Sequence, residues 1–274
     1  MIENTDIMEE IIPLFKHPDR FSEIERYLCL NSNLPGPRGN LTLADKFAGF
    51  FKTDIMNKEL IDLLFQWASI PNEIAPTNDR GEYLPFCAIL SLGAHYYYSE
   101  DETKLRIMNL FKKAMNDKRW RVREGVAMGV QYIAEKDFEP VRIYFTNWYA
   151  DSNFLEKRAF LAALAHPPIL KNKDIVRFSL SMSENILKDI LSAGEESRKS
   201  EEFSVLSKGL QYCLSVFVTE LPEEGFALLN KYGQSKDKDI RKIIKSNLGK
   251  SRLTKKYPQA VDEVLAGMTS DGGF

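Results

Sequence analysis

Apolar residues recur at intervals of three and four positions along most of this chain, which is the period of an α-helix. Ile240, Ile243, Ile244 and Leu248 follow this period, while basic residues fill the positions between them. Such a pattern predicts an amphipathic helix with one buried face. Strand-like alternation is nearly absent, and no Asn-Gly or Asp-Gly turn joins alternating segments. The sequence therefore predicts an all-α protein.

A second predicted helix covers residues 105–115, with Leu105, Met108 and Phe111 in its apolar series. Two acids, at 101 and 102, stand near its start, where the helix dipole stabilises negative charge. Helix-breaking residues divide the rest of the chain into segments of about ten to twenty residues, an ordinary helix length. These breaks are Pro71, Pro76, Asn116-Asp117, Asp151-Ser152-Asn153, Pro167-Pro168 and Pro222.

Two longer stretches predict loops. Residues 31–40 are rich in Pro and Gly, which predicts a rigid turn that carries Arg38. Residues 192–202 are almost entirely polar and predict a mobile loop.

The chain is self-similar at a spacing near 35 residues. Arg158 follows Arg123 by 35 positions, and Arg241 follows Lys208 by 33 positions in the same alignment. The interval from Arg158 to Lys208 is 50 positions, and the polar stretch 192–202 accounts for the excess. Each repeat therefore reads as two helices, with a basic residue in the first turn of the second helix.

Small residues also recur within the second helices of two repeats: Gly125, Ala127 and Gly129 in one, and Ala159, Ala162 and Ala163 in the next. In the repeat before these, Gly93 aligns with Gly129 at a step of 36 positions. Glycine inside a helix costs roughly 0.5–1 kcal/mol relative to alanine. We expect close packing between helices to offset that cost at these positions.

The repeat resembles a known architecture. The phrase D-x-x-W-x-V-R-E at residues 117–124 resembles a HEAT repeat, and so does D-x-D-I-R at residues 237–241. The resemblance covers residues 80–265 and implies an armadillo-type fold. It specifically implies a right-handed α-α superhelix, a HEAT-like solenoid of roughly six to seven helix pairs. Stacked pairs of this kind share one continuous core through local contacts.

This reading predicts one continuous domain with three parts. Residues 1–79 form an N-terminal helical segment with divergent repeats, 80–268 form the HEAT-like array, and 269–274 form a flexible tail. In the HEAT family, an Asp of the turn and the Arg of the second helix often form a ladder between neighbouring repeats.

Composition narrows the class of protein. Apolar residues make up 44% and charged residues 28% of the chain, as in an ordinary folded protein, and the formal net charge is only −2. No global field therefore attracts nucleic acid or an anionic membrane. Charge is nevertheless uneven: residues 231–256 hold ten bases against two acids, whereas the first thirty residues are net acidic. A solvated helix face and a docking site for an acidic partner or nucleic acid both fit this basic segment.

The N-terminal segment and the cysteines predict a location. The first fifteen residues are acidic where a signal peptide needs bases, and no apolar run approaches the roughly 18 residues of a membrane span. Cys29, Cys87 and Cys213 are few and far apart, which fits a reducing compartment. The sequence predicts a cytoplasmic protein with no membrane association, no metal site and no cofactor.

The candidate contact residues form a basic stripe with neighbouring aromatic residues. Repeated cations could meet phosphates, and aromatic rings could stack on bases. The same residues could instead be rungs of a structural ladder with Asp117, Asp151 and Asp239, or ordinary core packing. The candidates are Arg38, Arg119, Trp120, Arg123, Trp148, Asp151, Arg158, Lys208, Arg241 and Lys245.

Two functions fit these features. The first is a non-catalytic scaffold, a monomer that binds a protein, or a nucleic acid through its basic C-terminal segment, on its concave face. This interpretation rests on a repeat fold without G-x-S-x-G, Walker A, H-E-x-x-H or Gly-rich dinucleotide motifs.

The alternative is a repair enzyme for alkylated DNA. DNA glycosylases of the AlkD and AlkC kind are similar in length, helical content and the W-x-V-R phrase, and residues 203–214 are loosely similar to an AlkD helix. The resemblance implies a catalytic Asp with Trp residues facing a groove. The nearest matches in this chain are Asp151 with Trp120, Trp148 and Arg158.

Overall fold

The computed structural model describes residues 10–54 and 56–270, the side chains of 269 and 270 excepted, and every regular element in this part is a helix. The predicted all-α class is confirmed for these residues. Contacts divide the chain into two compact units, Met1–Asp137 and Phe138–Phe274.

The first unit is built around α4 (Tyr83–His95), a helix whose residues are all buried. This helix packs mainly against three others of the unit: α2 (Leu41–Gly49), α3 (Lys58–Ala68) and α6 (Trp120–Lys136). The other described elements of this unit are the helices α1 (Phe21–Leu30) and α5 (Asp101–Ala114) and four short 3-10 turns, at Ile12–Lys16, Pro18–Arg20, Arg80–Glu82 and Tyr96–Tyr98.

The second unit is arranged around α11 (Glu201–Glu220), a helix that contacts α8 (Phe154–Leu164), α13 (Lys238–Leu248), α12 (Pro222–Gly233) and α9 (Lys173–Ser192). Its remaining helices are α7 (Glu139–Tyr149), α10 (Glu195–Arg198), α14 (Ser251–Thr254) and α15 (Pro258–Ser270), with a 3-10 turn at Ile169–Lys171.

Six of the described α-helices begin where a short polar side chain accepts hydrogen bonds from the free N–H groups of the first turn. At the start of α8, Asn153 accepts from the Glu156 N–H, and the Glu156 carboxylate accepts from the Asn153 N–H. This reciprocal pair is a capping box. Side chains at the starts of other helices also accept from the first turn: Asn40, Asn57, Asn172, Ser200 and Asp237.

Every predicted helix break lies between helices or at a helix start, and α13 buries Ile240, Ile243, Ile244 and Leu248 as predicted. The helix predicted at 105–115 is present, but Leu105 is 52% exposed. The buried face of α5 contains the predicted Met108 and Phe111, together with Ile107 and Ala114.

The polar stretch 192–202 differs from the predicted loop. It contains the short helix α10, and Arg198 at the end of that helix pairs with Asp237 and Asp239 and donates to the carbonyl oxygen of Ile190. A partly buried guanidinium therefore anchors a segment that composition alone marks as mobile.

Helices with the repeated basic position lie side by side within each unit. Lys208 lies on α11, between α8 with Arg158 and α13 with Arg241. In the first unit, α6 carries Arg123 and packs on α4, where Cys87 holds the corresponding position. Neighbouring second helices are what a stacked repeat requires.

The closest helix approach joins two glycines that the repeat alignment equates. A Cβ atom built on Gly93 would lie 2.4 Å from the carbonyl oxygen and 2.5 Å from the Cα atom of Gly129. Real Cβ atoms essentially never come this near to backbone. The proposed reason for small residues in these helices is therefore observed at the crossing of α4 and α6.

The predicted domain boundaries remain predictions. Residues on both sides of position 80 share the first unit, because α4 packs on α2 and α3. Helix α15 continues to Ser270, past the predicted start of the tail at 269. Residues 271–274, and the acids of the first nine positions, lie outside the described residues.

His95 makes the stability of the first unit depend on pH. Its ring is buried, and Nδ1 donates to the carbonyl oxygen of Phe51 at 3.0 Å. Burial lowers the pKa of His95 below 6.5 in spite of that hydrogen bond. Below pH 6.5, the unfolded chain therefore binds a proton at His95 more readily than the folded chain does. The free energy of unfolding is highest above pH 6.5 and falls as the pH drops below that value.

We expect the free energy of unfolding to fall as the pH drops below 6.5, by at most about 1.4 kcal/mol per pH unit from this group alone. Urea unfolding between pH 7.5 and 5.5 measures the slope, and His95→Gln should reduce it. His17→Gln is the matched control, because His17 is exposed. Equal slopes in both variants would contradict this role of His95.

Candidate binding surface

Two of the four repeated cations turn towards backbone carbonyl groups. Arg123 donates to the carbonyl oxygens of Asp117 and Lys118, at 2.5 and 3.0 Å. Arg241 donates to the carbonyl oxygen of Met268 at 2.7 Å, which ties α13 to α15. These side chains contribute to structure, because each guanidinium satisfies carbonyls at a helix end or turn.

Arg119 is also structural, and this differs from its predicted place on a binding stripe. Its side chain is 1% exposed. The guanidinium grips both carboxylate oxygens of Asp117 at 2.7–2.8 Å and donates to the carbonyl oxygens of Ala75 and Ile70. Arg119 therefore fastens the loop before α4 to the turn before α6.

Trp120, the next residue, is 45% exposed, and the Arg121 guanidinium lies 4.6 Å from its ring centre. Arg121 is itself buried, where it pairs with the fully buried Glu82 at 2.9 Å and donates to the carbonyl oxygen of Gly36. Its charge is therefore neutralised beneath Trp120. Arg38 is exposed on the loop that contains Gly36.

The outward side of α11 carries a cation and an aromatic ring one turn apart. Lys208 and Tyr212 are both exposed, Tyr212 to 49%. The Arg252 guanidinium of α14 lies 4.7 Å from the centre of the Tyr212 ring. The opposite side of α11 is apolar and faces the core. Its buried residues include Phe203, Leu206, Leu210, Cys213, Leu214 and Phe217.

Helix α13 brings two more cations to this surface. The Asn247 side chain bonds to the Leu210 carbonyl oxygen and the Ser215 N–H, and Ser246 donates to the Gln211 carbonyl oxygen. These bonds hold α13 against α11.

The core-facing side of α13 is apolar, whereas Lys242 and Lys245 are exposed on its other side. On the opposite flank of α11, the Arg158 Cγ atom lies 3.2 Å from where a Cβ on Gly209 would be. The absent side chain at 209 gives Arg158 room to cross α11. We call these six residues the basic face: Arg158, Lys208, Tyr212, Lys242, Lys245 and Arg252.

The acids nearest to α13 are already engaged. Asp237 and Asp239 both pair with Arg198. Burial acts to raise the pKa of Asp237, but the Arg198 hydrogen bond and the N–H of Ile240 hold it below its usual value. In the part of the chain that the structure describes, no salt bridge neutralises Lys208, Lys242 or Lys245. The basic face is therefore a local positive surface on a nearly neutral protein.

The residues that the repair-enzyme alternative needs lie on α7, α8 and the turn between them. Trp148 packs on Tyr144 and Phe145, at ring-centre distances of 5.1 and 6.5 Å. Asp151 is exposed in the turn before α8, and Arg158 lies beside Gly209. The repair activity stays a prediction.

A groove between α9 and α12, with a volume of about 410 Å³, offers a different chemistry. Its charges form cross-helix pairs: Arg177 with Glu224 at 3.0 Å, and Lys231 with Glu184 at 2.8 Å. Because these partners neutralise each other, the groove presents no strong field to a ligand.

Among the described residues, no group of three or more His, Cys, Asp and Glu side chains is placed to hold a metal ion. Within the same ranges, no helix combines the length and apolar character of a membrane span. Cys29, Cys87 and Cys213 are not joined in disulfides. Burial raises the pKa of the Cys29 thiol to about 11, so this thiol stays protonated near neutral pH.

Three residues of the basic face are among the binding residues predicted from the sequence: Arg158, Lys208 and Lys245. Tyr212 is not among them, although its position four residues after Lys208 places both on one side of a helix. The position of Arg252 on this surface could be identified only from the structure, because its helix is only four residues long.

No protein-family model, no curated protein and no solved structure matches this chain. Its function is therefore argued from the basic face.

Proposed function

We propose that this chain is a non-catalytic helical-repeat protein that binds an anionic macromolecular partner through the basic face. The HEAT-like solenoid, with its right-handed superhelix of six to seven helix pairs, is part of this proposal. It is supported by the neighbouring second helices of each unit and by the contact between Gly93 and Gly129.

One observation carries the functional proposal. Lys208, Lys242 and Lys245 are exposed on two packed helices without a salt bridge among the described residues, and the half-exposed Tyr212 lies one turn after Lys208 on α11. Unopposed ammonium groups on one surface repel one another, which makes the surface slightly unfavourable without a partner. An anionic partner removes this repulsion and also gains from the field of the whole surface.

The scale of this attraction can be stated. Two unit charges 4 Å apart interact by about 1 kcal/mol in bulk water, and by more where a partner excludes water. Three or four such contacts therefore give an affinity in the millimolar to micromolar range, which weakens with salt. An acidic protein segment and a nucleic acid both meet this description.

The test is equilibrium binding by fluorescence anisotropy in 50 and 200 mM salt. Two labelled probes are used: a single-stranded oligonucleotide and a peptide rich in Glu and Asp. We expect at least one probe to bind with an affinity that falls steeply with salt. Lys208→Glu combined with Lys245→Glu should weaken that binding about tenfold or more, because two attractive contacts become repulsive.

Lys58→Glu combined with Lys113→Glu is the matched control. Both of these lysines are exposed on the first unit, and their reversal changes the net charge by the same amount. The control should bind almost as well as the unmodified chain. The proposal is wrong if neither probe binds at 50 mM salt, or if both double variants weaken binding equally.

A further inference from the structure

We infer that the basic face takes single-stranded nucleic acid, with one unstacked base against the ring of Tyr212. This inference rests on the proposed function and names the partner class. The inference depends on the exposed aromatic ring of Tyr212, a feature that a purely electrostatic surface does not need.

The Tyr212 ring is held in place but left open. The Arg252 guanidinium lies over the ring at 4.7 Å from its centre, and nearly half of the side chain remains accessible. A cation on one side of an aromatic ring fixes its orientation by the attraction of the ring quadrupole. The open side is then an apolar platform, and every nucleobase has a π-face that can stack on it.

The surroundings of the ring suit a phosphate backbone. Lys208 precedes Tyr212 by one helical turn on α11, and Lys242 and Lys245 are exposed on α13, the helix that packs against α11. A strand that places a base on Tyr212 therefore keeps its adjacent phosphates within reach of exposed ammonium groups. Stacking and charge neutralisation are the two contributions that proteins combine for binding of single strands without sequence preference.

The ring also distinguishes between partners. The face of an aromatic ring carries the negative end of its quadrupole, so a carboxylate gains nothing by lying against it. A duplex keeps its bases stacked inside, and exposing one costs a few kcal/mol. Unpaired bases therefore fit Tyr212 better than an acidic peptide or a duplex does.

The experiment compares three labelled probes by anisotropy on the full chain in 50 mM salt: a 12-nucleotide oligo-dT, a duplex of the same length, and an acidic peptide. We expect the tightest binding for oligo-dT. Tyr212→Ala should weaken it about 5- to 100-fold, since stacking contributes about 1–3 kcal/mol per base. Tyr212→Phe should stay within about twofold of the unmodified chain, because the ring is retained.

Trp120→Ala is the matched comparison, because Trp120 is a similarly exposed ring with an arginine over it in the first unit. It should leave oligo-dT affinity unchanged, and Tyr212→Ala should leave peptide affinity unchanged. Equal loss in both alanine variants, or an unchanged oligo-dT affinity in Tyr212→Ala, overturns the inference. If the peptide binds in a Lys208-dependent way and oligo-dT does not, the inference fails while the proposed function stands. If no probe binds, both fail.

Discussion

Gly93→Val is expected to lower the free energy of unfolding by about 3 kcal/mol. The new side chain begins with a Cβ atom that would lie 2.4 Å from the Gly129 carbonyl oxygen and 2.5 Å from its Cα. Both of these atoms are backbone, so no side-chain rotation relieves the overlap. Helices α4 and α6 must then separate, and the completely buried α4 loses packing along its length.

Urea denaturation followed by circular dichroism measures this effect. The matched control is Gly49→Ala, since a Cβ on Gly49 meets nothing within 4 Å. Alanine is the better helix former, so the control should leave stability unchanged or raise it by up to about 1 kcal/mol. If Gly93→Val unfolds at the same urea concentration as the unmodified chain, the close crossing of α4 and α6 is wrong.

Arg119→Met is expected to destabilise the chain by about 3–5 kcal/mol, the cost of removing one partner of a buried ion pair. The loss has two sources. In the unmodified chain, the Asp117 carboxylate is largely shielded from water. In the variant, this carboxylate loses both of its bonds to the guanidinium, and the carbonyl oxygens of Ala75 and Ile70 lose their donors. Methionine fills similar space, so the missing hydrogen bonds dominate the effect.

Arg38→Met provides the comparison, because Arg38 is exposed on a loop of the same unit. A surface substitution of this kind changes stability by less than about 0.5 kcal/mol. Chemical denaturation of the two variants separates a structural arginine from a surface one. Equal and small effects would show that Arg119 is no anchor.

The helical spacing of apolar residues, together with the helix-breaking residues between segments, was sufficient to predict the helices. The spacing of Ile240, Ile243, Ile244 and Leu248 predicts the buried side of α13 because a helix surface repeats every 3.6 residues. The 36-residue step aligns Gly93 with Gly129, and the structure shows that these two glycines lie in contact. This worked because repeated helices meet at equivalent positions.

Side-chain roles were harder to predict, because they depend on what each helix packs against. Arg119 and Arg123 belong to one basic cluster in the sequence, yet the first is a buried anchor and the second caps its own turn. The polar composition of residues 192–202 predicts a mobile segment. The ion pair between Arg198 and Asp237 that anchors this segment is visible only in the structure. Long-range partners of this kind leave no periodic trace in a sequence.

The arrangement of side chains on the basic face was also only partly predictable from the sequence. Its lysines are visible as charge, but the placement of Arg252 over the ring arises from packing of α14 on α11.

The most direct test of the basic face as the binding site is a two-dimensional NMR titration of the labelled chain with 12-nucleotide oligo-dT. Chemical-shift changes are followed at assigned backbone amides. We expect the largest changes on α11 around Lys208 and Tyr212, on α13 around Lys245, and on α14 around Arg252. Changes confined to residues 10–137, or spread evenly over the surface with no cluster on these helices, would contradict the account.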